Sequence, residues 1–157
     1  MNNELRFYRA PDVKKTILNK APLSSFEFSC ISGNCSNGDC VVESTFGYTI
    51  KGKCSTNAIS GTAECYYNDG ALYYKGNLLN NKFDGNGIQY TADKIKFEGN
   101  FKNGLRQGNG KITYPDNSYL TGIWKEDKID GNAQFYNANT KQTSNRVYKN
   151  GKLELET

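Results

Sequence analysis

The chain has 157 residues and a net charge of +4 from 20 basic and 16 acidic side chains, which sizes it for one structural unit and leaves too small a basic excess to argue for nucleic acid. It has no histidine, which excludes Ser-His, Cys-His and His-metal arrangements and removes the commonest general base near neutral pH. Apolar residues supply 36%, yet 11 Tyr, 8 Phe and 16 Gly point to thin sheets joined by tight turns rather than to a deep core.

Residues 1–24 stand apart from the rest. Pro11 and Asp12 predict the start of a short helix running to Lys20, with Val13, Ile17 and Leu18 on one face and Pro22 as its stop. The stretch from Val13 to Leu23 is broken by Lys14, Lys15 and Lys20, so it lacks the apolar run of a signal-peptide core. No segment is apolar enough to span a membrane as a helix. If Met1 is the native start, the expected location is the cytoplasm or a membrane surface; if a leader has been removed, the protein is exported.

From residue 25 the pattern changes. Phe26 and Phe28 alternate with polar residues as a first strand would. Cys30, Cys35, Cys40, Cys54 and Cys65 follow, with none beyond position 65, which predicts a cysteine-bearing cap over residues 30–65. The spacings contain no Cys-x-x-Cys knuckle, which argues against zinc although four thiolates can bind it tetrahedrally; buried free thiols are the third alternative. Two disulfides among five cysteines allow fifteen arrangements, five choices of the odd residue times three pairings, so spacing cannot fix them. Cys30 with Cys35, or Cys40 with Cys54 across a hairpin, are the pairings to look for.

The glycines then fall into register. Gly76, Gly99 and Gly122 are 23 apart, and so are Gly85, Gly108 and Gly131. Leu78, Phe101 and Trp124 follow the first comb by two residues; Gly87, Gly110 and Ala133 follow the second. Upstream, Gly52, Cys54, Gly61 and Ala63 repeat these offsets with one residue inserted near Ala71. Such self-similarity marks a repeat array. Its expected extent is 25–152, with regular repeats over 74–136 and an incomplete closing unit over 137–152.

Within a unit, Gly110 to Tyr114, then Pro115-Asp116-Asn117-Ser118, then Tyr119 to Trp124 predict strand, turn and strand. Proline presets φ, and Asp and Asn bond locally and tolerate unusual backbone angles. The equivalent turn lies near Asn68-Asp69-Gly70. A glycine two residues before each aromatic position leaves room for a ring to lie on the backbone.

The stretch Phe97-Glu-Gly-Asn-Phe-Lys-Asn-Gly-Leu-Arg-Gln-Gly-Asn-Gly110 resembles the MORN repeat, Tyr-x-Gly-x-Trp-x-x-Gly-x-x-x-Gly-x-Gly, with every glycine matched. Tyr74 to Gly87 keeps the pattern with Asn81 in place of one glycine, and Leu120 to Ala133 keeps it with Asp127 and Ala133 substituted. The resemblance implies an all-β fold, an elongated, twisted antiparallel sheet of tandem hairpins, here preceded by a short helical or irregular extension. It also implies a groove lined by aromatic residues and a role as scaffold, dimerisation element or membrane-proximal adaptor.

On that basis the expected function is a non-enzymatic scaffold binding a protein partner or a second copy of itself. Phe97, Phe101, Tyr114, Tyr119, Trp124 and Tyr136 are the rings expected to face the partner. The alternative is a peripheral module for anionic phospholipid headgroups, which requires the scattered basic residues, Lys82, Lys102, Arg106, Lys125 and Lys128 among them, to gather on one side. Their balance by Asp84, Glu98, Asp127 and Asp130 makes a solvated face the simpler reading. Asp84, Glu98 and Asp130 are the only carboxylates worth weighing as a catalytic pair, and two of them sit at turns. Gly85-x-Gly87 and Gly108-x-Gly110 lack the strand-to-helix context of a phosphate loop. No cofactor or metal is expected.

Overall fold

The computed structural model describes residues 28–44, 47–56 and 58–157; the helix expected from Pro11 to Lys20, and Phe26, lie outside them. The described residues are all-β, with no helix. The strands are β1 (Phe28–Gly33), β2 (Asn37–Ser44), β3 (Thr49–Ser55), β4 (Ala58–Ile59), β5 (Gly61–Tyr66), β6 (Leu72–Leu79) and β7 (Lys82–Tyr90). There follow β8 (Lys96–Lys102), β9 (Leu105–Thr113), β10 (Tyr119–Lys125), β11 (Lys128–Ile129), β12 (Gly131–Asn137), β13 (Gln142–Lys149) and β14 (Lys152–Glu156). They form one antiparallel sheet in the order β1-β2-β3-β5-β6-β7-β8-β9-β10-β12-β13-β14, with β4 on β3 and β11 on β10. This is a meander of hairpins, open at β1 and at β14.

The reversals form two sets, one along each long side of the sheet. On the first side, Asn80-Asn81, Asn103-Gly104, Glu126-Asp127 and Asn150-Gly151 hold positive φ at both central residues, between 48° and 84°. That is the type I′ geometry whose twist suits a two-residue hairpin. On the second side the loops are longer. Tyr114 N–H donates to Ser118 O at 2.9 Å, and Asn117 takes a φ of 68°, so the turn expected at Pro115-Asp116-Asn117 forms. Asp116 secures it by accepting from the backbone N and Oγ of Ser118, both at 2.9 Å. The loop at Asn68-Asp69-Gly70 closes similarly, with Tyr67 N–H on Ala71 O at 2.8 Å.

Register sets the first glycine comb, with Gly87 and Gly110 between its members, in a line across the sheet. Gly76 lies opposite Gly87, Gly87 opposite Gly99, Gly99 opposite Gly110 and Gly110 opposite Gly122. Rings occupy the space so created: a Cβ on Gly110 would fall 2.5 Å from Phe97 Cε2 and 3.2 Å from Trp124 Cε3. The second comb has a different cause. Gly108 has φ 81°, a left-handed backbone that disfavours other residues, while a Cβ there would meet nothing closer than 3.9 Å.

Residues two apart on a strand share a face, so the glycine line and the rings lie together, and this face is the core. Tyr74, Phe97, Ile112, Leu120 and Trp124 are 0–2% exposed. Tyr74 stacks on Phe83 at 3.7 Å, Phe97 meets Phe101 edge-on at 5.4 Å, and Phe97 meets Trp124 at 5.0 Å. Burying such a ring stabilises by about 1.5–3 kcal/mol, and each edge-on pair adds about 0.5–1.5 kcal/mol. A single-layer repeat sheet therefore covers its core with the rings of neighbouring units.

At the N-terminal end the cysteines take over. Cys30–Cys35 and Cys40–Cys54 are disulfide-bonded, and Cys65 is a buried free thiol. Cys40–Cys54 joins β2 to β3 with a Cα separation of 5.8 Å; closing a loop of that length constrains the unfolded chain by about 3 kcal/mol. At the other end, Arg146 pairs with Glu156 across β13 and β14, so the sheet runs past residue 152, the boundary expected for the closing unit.

Candidate binding faces

The face opposite the rings is open and polar. Asn86, Glu98, Asn100, Asn109, Lys111, Thr121, Asn132, Gln134 and Asn145 line a trough of about 960 Å³ floored by the backbone of Gly99, Gly110 and Gly122. Ile123, Val147 and Leu155 line its C-terminal part, and Ile123 and Leu155 are 53% and 55% exposed. Toward the N-terminal end the same face continues as a hollow of about 590 Å³ lined by Asp39, Lys51, Thr62, Glu64 and Lys75. Cross-strand ion pairs tie that part together: Lys53–Asp39 at 2.6 Å and Lys75–Glu64 at 3.0 Å.

Asparagine is the repeated element of this face. Asn77 and Asn100, and Asn86, Asn109 and Asn132, recur at the 23-residue period one position after each glycine comb. Asn77 is engaged by Thr62 Oγ1 at 3.2 Å, whereas Asn86, Asn100, Asn109 and Asn132 are exposed, each presenting two donors and an acceptor. The sequence reading missed them because it followed the glycines and aromatics. The signal was present, in the residue after each glycine.

The rings expected at the partner surface lie in three places. Phe97, Phe101 and Trp124 are 0%, 3% and 2% exposed and belong to the core, which corrects the expectation that they line the groove. Each stands two residues from a comb glycine on the same strand, on the face that the neighbouring rings cover. Tyr114 packs half-buried against Phe135, with ring centroids 6.4 Å apart, and burial pushes its phenol up to about 12. Tyr119 and Tyr136 do reach the open face, stacked at 5.0 Å, with Lys111 Nζ 4.2 Å from the Tyr119 centroid.

One long side of the sheet is basic. Lys82, Lys102, Lys125, Lys128, Lys149 and Lys152 flank the type I′ turns there, and all are exposed. Lys102 is held by Asp84 at 3.0 Å and Lys149 by Asp130 at 3.8 Å. Lys82, Lys125, Lys128 and Lys152 have no acidic partner among the described residues. Arg106, counted above with the surface cations, is instead 7% exposed, and its Nε donates to Asp127 Oδ1 at 2.7 Å.

The carboxylates weighed for catalysis are engaged separately. Asp84 is held below the usual carboxylate range, chiefly by its hydrogen bond with Lys102. Glu98 faces Lys96 at 3.0 Å, and Asp130 faces Lys149.

This geometry, hairpins in 23-residue register with glycines under aromatic rings, coincides with a known repeat: the MORN repeat pattern matches residues 74–94, 97–119 and 121–140. Residues 74–140 carry three MORN repeats. No curated protein matches the chain. The three matched MORN repeats begin on β6, β8 and β10 respectively and contain the core rings Tyr74, Phe83, Phe97, Phe101 and Trp124 and most of the trough. MORN repeats generally occur in scaffold and membrane-associated proteins, take part in protein and lipid interactions, and are typically non-enzymatic.

Proposed function

We propose that the protein is a non-enzymatic scaffold whose open sheet face, not its ring-bearing face, binds an extended segment of a partner protein. The observation carrying this reading is the trough itself. Exposed asparagine amides on the neighbouring strands β7, β8 and β9, and on β12 beyond β10, can meet the N–H and C=O groups of a peptide, and Ile123, Val147 and Leu155 offer an apolar anchor beside them. Tyr119 and Tyr136 extend the same face with a stacked aromatic pair. Phe101 and Trp124 are unsuitable test positions, because truncating either opens a cavity in the core.

A second reading rests on the basic side of the sheet, whose turn-flanking lysines suit anionic headgroups at about 1 kcal/mol per lysine near a charged surface. One set of variants separates the two. Asn109→Arg with Asn132→Arg is expected to abolish capture of the partner and leave vesicle binding intact. Lys125→Glu with Lys128→Glu is expected to leave partner capture intact. Partner capture unchanged by the trough variants, in chains that keep the wild-type circular dichroism, removes the trough reading. Salt-sensitive co-sedimentation with anionic vesicles, lost in the lysine variants, establishes the lipid reading.

A further inference from the structure

The cysteine cap gathers more sulfur than two independent crosslinks require. The Sγ atoms of Cys35, Cys40 and Cys54 all lie within 4.8 Å of one another, and Cys30 Sγ is bonded to Cys35 Sγ. The three are 3–7% exposed. Three strands and a turn deliver the four residues: β1 carries Cys30, the β1–β2 turn carries Cys35, β2 carries Cys40 and β3 carries Cys54. Of these, Cys40 and Cys54 are placed by ladder hydrogen bonds, with Cys40 opposite Gly52 and Gly38 opposite Cys54. Their position depends on the sheet and not only on the bond between them.

We propose that this cluster is a second-state metal site: when the two disulfides are reduced, Cys30, Cys35, Cys40 and Cys54 bind one zinc ion as four thiolates. A zinc–sulfur distance of about 2.3 Å places the sulfurs of a tetrahedral site roughly 3.8 Å apart. The observed cluster reaches that arrangement by side-chain rotation, each bonded pair opening and the cross-distances closing. Soft, all-sulfur ligands, three of them buried and Cys30 at the surface, select zinc over magnesium or calcium. The missing Cys-x-x-Cys knuckle is not an obstacle, because the sheet brings together what the spacing separates.

The two states interconvert with atoms and electrons in balance. Each disulfide takes two electrons and two protons from a dithiol reductant, which itself becomes a disulfide, and yields two thiols. Zinc then displaces one proton from each of the four thiols. The cap is thus closed by covalent bonds in an oxidising compartment and by metal in a reducing one. Cys65, buried on β5, takes no part.

The full chain, reduced with a phosphine that is then removed, is titrated with cobalt(II) and afterwards with zinc(II). The expected result is the visible absorption of tetrahedral thiolate-bound cobalt, saturating at one equivalent and lost on adding zinc. Zinc is also expected to protect the four thiols from alkylation. Cys40→Ser and Cys54→Ser each abolish the spectrum, whereas Cys65→Ser preserves it. If reduction unfolds the cap, zinc is expected to restore the sheet signal in circular dichroism. A reduced chain that gives no cobalt spectrum, or an unfolded one that zinc does not refold, overturns the proposal.

Discussion

Gly108 and Gly110 are two residues apart and are glycines for opposite reasons. Gly108 needs a left-handed φ of 81° in open space, whereas Gly110 needs emptiness beneath Phe97 in ordinary strand geometry. Gly108→Ala is expected to cost about 1–2 kcal/mol, and Gly108→Asn to recover much of it because asparagine tolerates that conformation. Gly110→Ala is expected to cost about 1–3 kcal/mol by overpacking, and Gly110→Asn to cost more. Urea midpoints at constant m-value measure this; an asparagine that rescues both positions equally would refute the distinction. In the sequence the two combs look alike. Spacing shows that glycine is required at each without showing whether dihedral angle or volume requires it.

At the scale of the hairpin, the matched repeats depart most from their pattern at Glu126-Asp127. Asp127 stands where the MORN pattern has glycine, keeps the positive φ of 74°, and uses its carboxylate to hold the buried Arg106. Glu126 has φ 48°, and the turn's bond there, from its backbone N–H to Gln107 Oε1 at 3.0 Å, does not use its own side chain. Glu126→Asn is therefore expected to stabilise by about 0.5–1 kcal/mol, since asparagine is favoured in type I′ turns. Asp127→Gly is expected to destabilise despite restoring the pattern, because it removes the carboxylate that accepts from the buried Arg106 Nε at 2.7 Å. Thermal unfolding of the two variants should move in opposite directions, and equal shifts would contradict the assignment.

Hairpins and turns were legible from the 23-residue period; the cysteine pairings were not, since spacing leaves fifteen arrangements open, although the structure joins the two pairs singled out to look for, Cys30–Cys35 and Cys40–Cys54. Which face of the sheet stays open was not legible either. Alternation along a strand says that Phe97, Gly99 and Phe101 share one face and Glu98 and Asn100 the other, but not which face neighbouring units cover. That depends on how far each ring reaches over the next strand's glycine. The rings proved large enough to bury one another, which left the asparagines outside.

For the whole molecule, the disulfides lie at only one end. Each hairpin pairs only with its neighbours in the sheet order, so stability is passed from unit to unit instead of being shared through a common core. The first hairpins are crosslinked, while the other end closes on the five-residue β14, most of it exposed and paired along one side only. The array consequently has a direction of failure. Opening should start at β13–β14 and travel toward the cap, and amide hydrogen exchange should show protection rising from Arg146 back through β10 and β8. Exchange that is fastest over β2 and β3 would reverse that polarity. A load applied to the C-terminal strand would then peel the molecule one hairpin at a time, as a zipper does, with the sulfur-bound end as its stop.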